Sequence, residues 1–255
     1  LHSPAAQFDL SALLHLRQSE LEEARSLQLS LLPNAPLRAA NIEFTSRVQP
    51  AAAVGGDFLD YFCLTDRRIG VYLGDVVGKG LSAAMYAALT VGTLRGIHKT
   101  GCPPMTVLST LNRRLRTRPV PGRYSAVQYA VFDPETRELL CANAGLPRPI
   151  HISASRCIEV GHGGLPSGLF DEAFYEQCSI EICPGDAVLF LTDGLTEAHD
   201  ADREEFGVAR VMEICRRNMD SPAEVLLARL FEAVGKFTGD QPQQDDLTAA
   251  LLKAD

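Results

Sequence analysis

The pattern of apolar and polar positions divides the chain at Pro33. From Leu10 to Leu32 there is no glycine or proline and helix formers dominate. Leu10, Leu14, Leu21, Ala24 and Leu31 recur on one seam in alternating three- and four-residue steps, with Arg17 and Gln28 in the remaining seam positions. That spacing predicts an amphipathic helix of weak coiled-coil character. Pro33 ends it and Pro36 follows. Such a helix either packs on its own domain or serves as a dimerising, signal-relaying connection to something upstream. Residues 1–36 are therefore expected to form a helix and linker, and residues 37–255 the main domain.

Beyond Pro36 the period shortens. Ile42–Val48, Phe58–Leu64 and Arg68–Val76 carry β-branched or aromatic residues between turn residues and predict strands. Helices are expected from Leu81 to about His98, where a small-residue stretch allows close packing, and from Pro104 to Arg116. Strands are expected again at Tyr124–Phe132, Glu138–Asn143, Pro149–Ser153, Phe174–Ile182 and Ala187–Thr192. Helices follow at Val208–Arg217 and Pro222–Phe237, and Leu247–Leu252 is a last strand. Strands beside strands imply antiparallel pairing, and the helix pairs can cover their faces. The expected class is therefore an α+β layered sandwich.

Composition narrows the function. With 46% apolar and 22% charged residues the chain is an ordinary globular domain, and a net charge of −8 argues against a nucleic-acid partner. Arg113-Arg114-Leu115-Arg116 and Arg216-Arg217 read as solvated helix faces. The apolar run Leu81–Leu94 is too short to span a bilayer. Seven cysteines without a Cys-x-x-Cys pair disfavour a zinc ribbon or disulfide framework, and they read as buried free thiols in a reducing cytosol. No signal peptide is legible, and the chain does not begin with Met, which fits a fragment of something longer.

Three acidic positions share one context: an Asp beside glycine at the end of an apolar run. They are Gly55-Gly56-Asp57-Phe58, Gly74-Asp75-Val76-Val77-Gly78-Lys79-Gly80 and Thr192-Asp193-Gly194; a fourth acidic pair, Asp245-Asp246, precedes the last strand. Each alone is common turn chemistry. Together, carboxylates at strand ends can converge on one sandwich edge, and hard oxygen donors of this kind suit Mg²⁺ or Mn²⁺. The Gly74–Gly80 loop does not match a P-loop, because Leu81 follows Lys79-Gly80, and Gly78-x-Gly80 lacks the third glycine of a dinucleotide fingerprint. His151, His162 and His199 are scattered and read as surface or packing residues.

These four motifs, with Leu31-Leu32-Pro33 and Asn143-Ala144-Gly145-Leu146-Pro147, resemble the PPM superfamily of metal-dependent protein serine/threonine phosphatases, in its bacterial SpoIIE/RsbU branch. The resemblance runs from about Leu32 to Lys253. It implies a four-layer α-β-β-α sandwich of two antiparallel sheets flanked by helices, with the N-terminal linker helix in front. It also implies two Mn²⁺ or Mg²⁺ ions. By position, Asp75 would bridge them and the Val76 carbonyl would add a ligand. Asp193 and Asp245 would hold one ion, and Asp57 would serve the other. Asp246 completes the implied metal set, although many relatives carry Asn there, which would place it just outside the ligands with Thr248 beyond it. Asp57, Asp75 and Asp193 are thus the expected catalytic set.

The implied reaction is attack of a metal-activated water on a seryl or threonyl phosphate, without a covalent intermediate. The implied setting is a cytoplasmic signalling protein with an upstream sensor or receiver domain and a phosphoprotein substrate, such as an anti-sigma-factor antagonist. A homodimer through the helix is a further expectation. Val77 stands where eukaryotic relatives carry a histidine, and Ala51-Ala52-Ala53-Val54 stands where they carry a phosphate-binding arginine. A pseudophosphatase binding module and a hydrolase of small phosphate esters are the competing readings. The full acidic set disfavours the first, and the missing arginine the second.

Overall fold

The computed structural model describes residues 10–39, 41–64, 67–98 and 101–255, with side chains from residue 13 onward; the seam position Leu10 lies outside the described side chains. In order, the described residues form α1 (Leu10–Ser30), β1 (Leu37–Ala39), β2 (Ile42–Gln49), β3 (Phe58–Cys63), β4 (Ile69–Val76), α2 (Leu81–Ile97) and α3 (Pro104–Thr117). Then follow β5 (Ser125–Asp133), β6 (Glu138–Ala144), β7 (Ile150–Ile152), β8 (Cys157–Glu159), β9 (Gln177–Glu181) and β10 (Ala187–Leu191). The chain ends with α4 (Asp193–Thr196), α5 (Gly207–Arg217), α6 (Ala223–Thr238) and β11 (Leu247–Ala254).

The strands make two sheets, ordered β1-β2-β11-β10-β7-β8 and β3-β4-β5-β6-β9, and every pairing is antiparallel. Three apolar layers hold the stack together. α2 and α3 bury Leu94, Leu108 and Leu111 against Tyr72, Val127 and Tyr129 of the five-stranded sheet. Between the sheets lie Phe44, Leu59, Leu73, Phe132, Leu139, Val188, Phe190 and Leu252. α5 and α6 close the six-stranded sheet with Val211, Leu226 and Leu230 over Leu189, Leu191 and Leu251. The expected α-β-β-α sandwich is borne out. Central strands are covered on both faces, which is why β4, β10 and β11 read as continuous apolar runs instead of alternating ones.

Differences from expectation fall where elements are short. β1 and β8, with 3 residues each, carry too little pattern to be seen as strands. The strand expected from Phe174 begins only at Gln177, and Phe174 is 86% exposed. The thiols are not uniformly buried: Cys141 and Cys215 are, whereas Cys63 and Cys183 are exposed.

α1 uses only part of its seam on the body. Leu21, Ala24, Gln28 and Leu31 are half-buried, whereas Leu14 is 58% exposed, as are the off-seam Leu13 and Leu16 to a similar degree. Beyond the helix, Leu32 packs against the inter-sheet core and the Ala35 carbonyl accepts the Tyr61 hydroxyl at 2.9 Å. On α2, Arg95 ties the Leu31 carbonyl (2.9 Å) to the Asp60 carboxylate (2.8 Å) on β3.

β4 approaches the site through glycines that its neighbour's rings cover. Phe62 pairs with Gly70 and Phe58 with Gly74, and each ring lies where a Cβ on its glycine would stand. Gly74→Ala must therefore push the Phe58 ring out of the core beneath α2. The expected outcome is a loss of about 1–3 kcal/mol, the usual range for overpacking, measured by urea unfolding. A Phe58→Leu, Gly74→Ala double variant should recover part of it.

Candidate metal centre

All four acidic motifs lie at one end of the sandwich, and the two sheets contribute differently. Asp57 immediately precedes β3 and Asp75 is the penultimate residue of β4, where Phe58 pairs with Gly74; both belong to the five-stranded sheet. Asp193 opens the single-turn α4 after β10, and Asp245-Asp246 precedes β11, in the six-stranded sheet. Pairing of Leu191 with Ala249 puts these last residues at the same edge.

The sheets are joined there by side-chain bonds. The buried Asp57 accepts a hydrogen bond from the Thr192 hydroxyl at 2.9 Å. Asp246, also buried, takes the Ala51 N–H on Oδ1 at 2.8 Å, and the Gly56 and Asp57 N–H groups on Oδ2 at 2.8 and 3.3 Å. Both its oxygens are thus engaged by the backbone of the loop that carries the chain from β2 of its own sheet to β3 of the other. The approach tolerates no side chain at Gly55, where a Cβ would run into the Asp246 carboxylate, or at Gly194, where one would meet the Asp246 carbonyl. The Val76 carbonyl oxygen faces Gly56, only 2.7 Å from where a Cβ would be.

Asp57, Asp75, Asp193 and Asp245 repel one another. Burial, then the charges of Asp193 and Asp245, pushes Asp75 up to about 7. Burial, then Asp75, raises Asp57 well above the usual carboxylate range, and burial, then Asp245, raises Asp193. Among the described residues one cation touches the set, Lys79, 3.9 Å from Asp245, and its ammonium also donates to the Gln244 carbonyl. A partly buried cluster of hard oxygen donors with one distant basic partner is chemistry that a divalent cation such as Mg²⁺ satisfies. Among the described residues no three acid, His or Cys side chains are arranged to hold an ion by themselves.

Sequence reasoning had singled out five carboxylates, and the fold brings all five to one edge, with Glu197 close enough to feel the charges of Asp193 and Asp245. It missed three supporting groups. Thr192 was visible only as a hydroxyl residue ending an apolar strand. Gln243 donates to the carbonyls of Gln49 (2.8 Å) and Asp245 (2.8 Å), tying the β11 approach to the end of β2. Gln28 of α1 clamps Gly55 twice, donating to its carbonyl at 2.8 Å and accepting its N–H at 3.1 Å. A polar residue in an otherwise apolar seam was the available signal. The histidines behave as expected: His151 is buried against Asp186 at 3.0 Å, and His162 pairs with Glu176 on the surface. A cavity of about 340 Å³ opens beside Asp245, lined by Lys79, Glu197, His199 and Gln243 among others.

Two outcomes follow from this geometry. Because the raised carboxyls hold protons more tightly folded than unfolded, their favourable contribution is present below the ordinary value of 3.8 and lost as pH rises through about 7 for Asp75. At pH 8 in chelator, Asp75→Asn should therefore raise the thermal midpoint, by at least about 2 °C for roughly 1 kcal/mol. Calorimetry reads this, and added Mn²⁺ should stabilise the parent protein more than the variant. Asp246→Asn can keep its oxygen on Gly56 and Asp57 and lose only the Ala51 contact, costing about 1 kcal/mol, whereas Asp246→Ala loses all three partners and should cost at least about 3 kcal/mol in urea unfolding.

Comparison with known proteins agrees with this fold and edge. The family profile described as Stage II sporulation protein E (SpoIIE) matches residues 65–255. Protein IcfG of Synechocystis sp. (strain ATCC 27184 / PCC 6803 / Kazusa) is 27% identical over 258 residues, covering 90% of this chain and 40% of IcfG. Phosphoserine phosphatase RsbU of Bacillus subtilis (strain 168) is 24% identical over 241 residues, covering 92% of this chain and 70% of RsbU. The chain thus spans less than half the length of IcfG. Among solved structures, the SiaA-PP2C domain of Pseudomonas aeruginosa superposes with a TM-score of 0.85 at 20% identity, covering 97% of this chain and 100% of that one. The RsbU and RsbW domains of Rv1364c from Mycobacterium tuberculosis give 0.74 at 26% identity, covering 88% and 61%. The resemblance read from the acidic motifs is borne out, and the chain belongs to the SpoIIE family, the SpoIIE/RsbU branch of the PPM (PP2C-type) superfamily.

Proposed function

We propose that this chain is a metal-dependent protein serine/threonine phosphatase domain that hydrolyses phosphoserine or phosphothreonine on a regulatory protein. The observation that carries this reading is the convergence, from two sheets, of four mutually repelling carboxylates with the Val76 carbonyl beside them. Two Mn²⁺ or Mg²⁺ ions fit that donor set. Asp57, Asp75, Asp193, Asp245 and the Val76 carbonyl would hold them. When bound, such ions supply Lewis acidity that acidifies a water and offsets charge on the phosphoryl oxygens. The chain's own residues supply the frame. Thr192 orients Asp57, Gln243 holds the Asp245 segment, and Asp246 organises the 51–57 loop in place of holding an ion.

The RsbU and IcfG likenesses support a place in bacterial signalling, with a small phosphoserine-bearing anti-sigma-factor antagonist as the substrate and a sensor or receiver module preceding α1. The exposed N-terminal part of the α1 seam supports self-association there. Its other end supports a relay, because the Gln28 clamp grips the residue two before Asp57. No described helix is long and apolar enough to cross a membrane.

Asp75→Asn should abolish Mn²⁺-dependent phosphate release from a phosphoserine protein, by at least about a thousandfold or roughly 4 kcal/mol of transition-state stabilisation, while circular dichroism stays unchanged. Asp193→Asn should be nearly as severe. Undiminished turnover of the parent protein in excess chelator would overturn the metal-dependent reading, and equal catalytic efficiency on an aryl phosphate and a phosphoprotein would overturn the protein-phosphatase one. Gln28→Ala should raise the Mn²⁺ concentration for half-maximal activity severalfold while the protein stays folded. An unmoved metal titration would remove α1 from control of the site.

A further inference from the structure

The exposed leucines of α1, the 340 Å³ cavity and the buried His151–Asp186 pair each extend a feature already described. The thiols do not. Cys141 of β6 and Cys178 of β9 stand directly opposite one another in the antiparallel register, with their sulfurs 2.9 Å apart. Opposed residues in such a ladder have Cα separations of about 4.5 or 5.5 Å, both inside the range a disulfide spans. Elsewhere the thiols are placed differently: Cys215 is buried, Cys63 and Cys183 are exposed, and the Cys157 thiol meets the Met212 carbonyl.

The two members of the pair differ in access. Cys141 is buried in the inter-sheet core. Cys178 is half-buried and lines an open cavity of about 700 Å³ together with His151, Arg156, Cys183 and Asp186. That cavity lies at the start of β10, the opposite end of the strand from Asp193. Gly161, at φ 81°, passes over Cys178 so closely that a Cβ there would sit 2.9 Å from the sulfur. The hydrogen bond between the thiols lowers Cys178 below the ordinary thiol value and raises Cys141. The accessible sulfur is therefore the better nucleophile, and the buried one is the proton-bearing partner.

We propose that Cys141 and Cys178 form an oxidisable dithiol, a thiol-modification site for hydrogen peroxide remote from the acidic edge. The Cys178 thiolate attacks one peroxide oxygen, the O–O bond breaks, and hydroxide leaves and is protonated to water. The Cys178 sulfenic acid so formed is attacked by the Cys141 sulfur, which gives up its proton as the S–O bond breaks and a second water departs. Two thiols and one peroxide become one disulfide and two waters, with peroxide the two-electron oxidant. The product staples the edge strand β9 to β6 beneath the Gly161 segment.

The test uses the chelated protein and reads mass, so it stands apart from the phosphatase reading. After one equivalent of peroxide, thiol titration should fall from seven groups to five, and non-reducing peptide mapping should find Cys141 joined to Cys178, reversibly by dithiothreitol. Cys178→Ser should slow the loss of thiols by about tenfold or more. Cys141→Ala should leave a sulfenic acid at Cys178 that dimedone traps, which keeps the test informative if the disulfide itself is hard to isolate. Prior oxidation of Cys63 or Cys183 with the pair left reduced, or a Cys178–Cys183 linkage, would overturn the proposal.

Discussion

The structure depends on a carboxylate that holds backbone. Asp246 reaches from the six-stranded sheet and collects three N–H groups from the 51–57 loop that joins the two sheets. A loop that leaves β2 and must turn into β3 has few ladder partners, and its buried N–H groups need acceptors. A charged acceptor is the strongest available, and its own burial is repaid by having every oxygen engaged. With that loop held, Asp57 and the Gly56 backbone come up against Asp75 and Val76. Without it the two sheets would still share an apolar core, but their acidic ends would not be indexed to one another.

The same indexing creates a conflict. Four carboxylates are held close together and partly out of water, where like charges disfavour ionisation. The bulk of the domain absorbs this. Three apolar layers are continuous across the sandwich, and the strands bearing the acids are among the most completely buried in the chain. A fold stabilised so heavily elsewhere can tolerate a strained edge, and a cation bound there would relieve that strain. On the proposed reading, stability and function would be opposed at the site without metal and aligned with it.

α1 is connected to the body by three different interactions within one helical turn and its exit, one of them at this edge. Gln28 clamps the Gly55 backbone, the Leu31 carbonyl accepts from Arg95, and Leu32 enters the inter-sheet core. The glutamine matters because its amide satisfies both the backbone N–H and the carbonyl of one residue, so it specifies the position of Gly55 rather than merely covering it. Under the proposed relay, a displacement of the helix would reach the loop before Asp57 through this clamp, while the N-terminal part of the helix keeps its leucines in solvent.

Much of this was legible in the sequence. The 3.6 period before Pro33, the short β runs and the glycine-flanked aspartates at their ends established the layered class, the order of elements and the identity of the clustered aspartates, because those features depend on local periodicity and turn chemistry. Three-residue strands such as β1 and β8 carry too little pattern to be recognised, and the apolar Phe174 suggested a strand although it faces solvent. What only the tertiary structure decided was partnership. Asp57 and Asp246 look alike in sequence and both lie among repelling carboxylates, yet Asp57 takes the Thr192 hydroxyl and Asp246 takes three amides. Gln28 looked like a blemish in a seam, and Cys141 and Cys178 looked like two more buried thiols. Periodicity states which face of an element is covered; which residue covers it is set by sheet order and register between segments as far apart as Asp57 and Thr192, and only packing of the two sheets determines that.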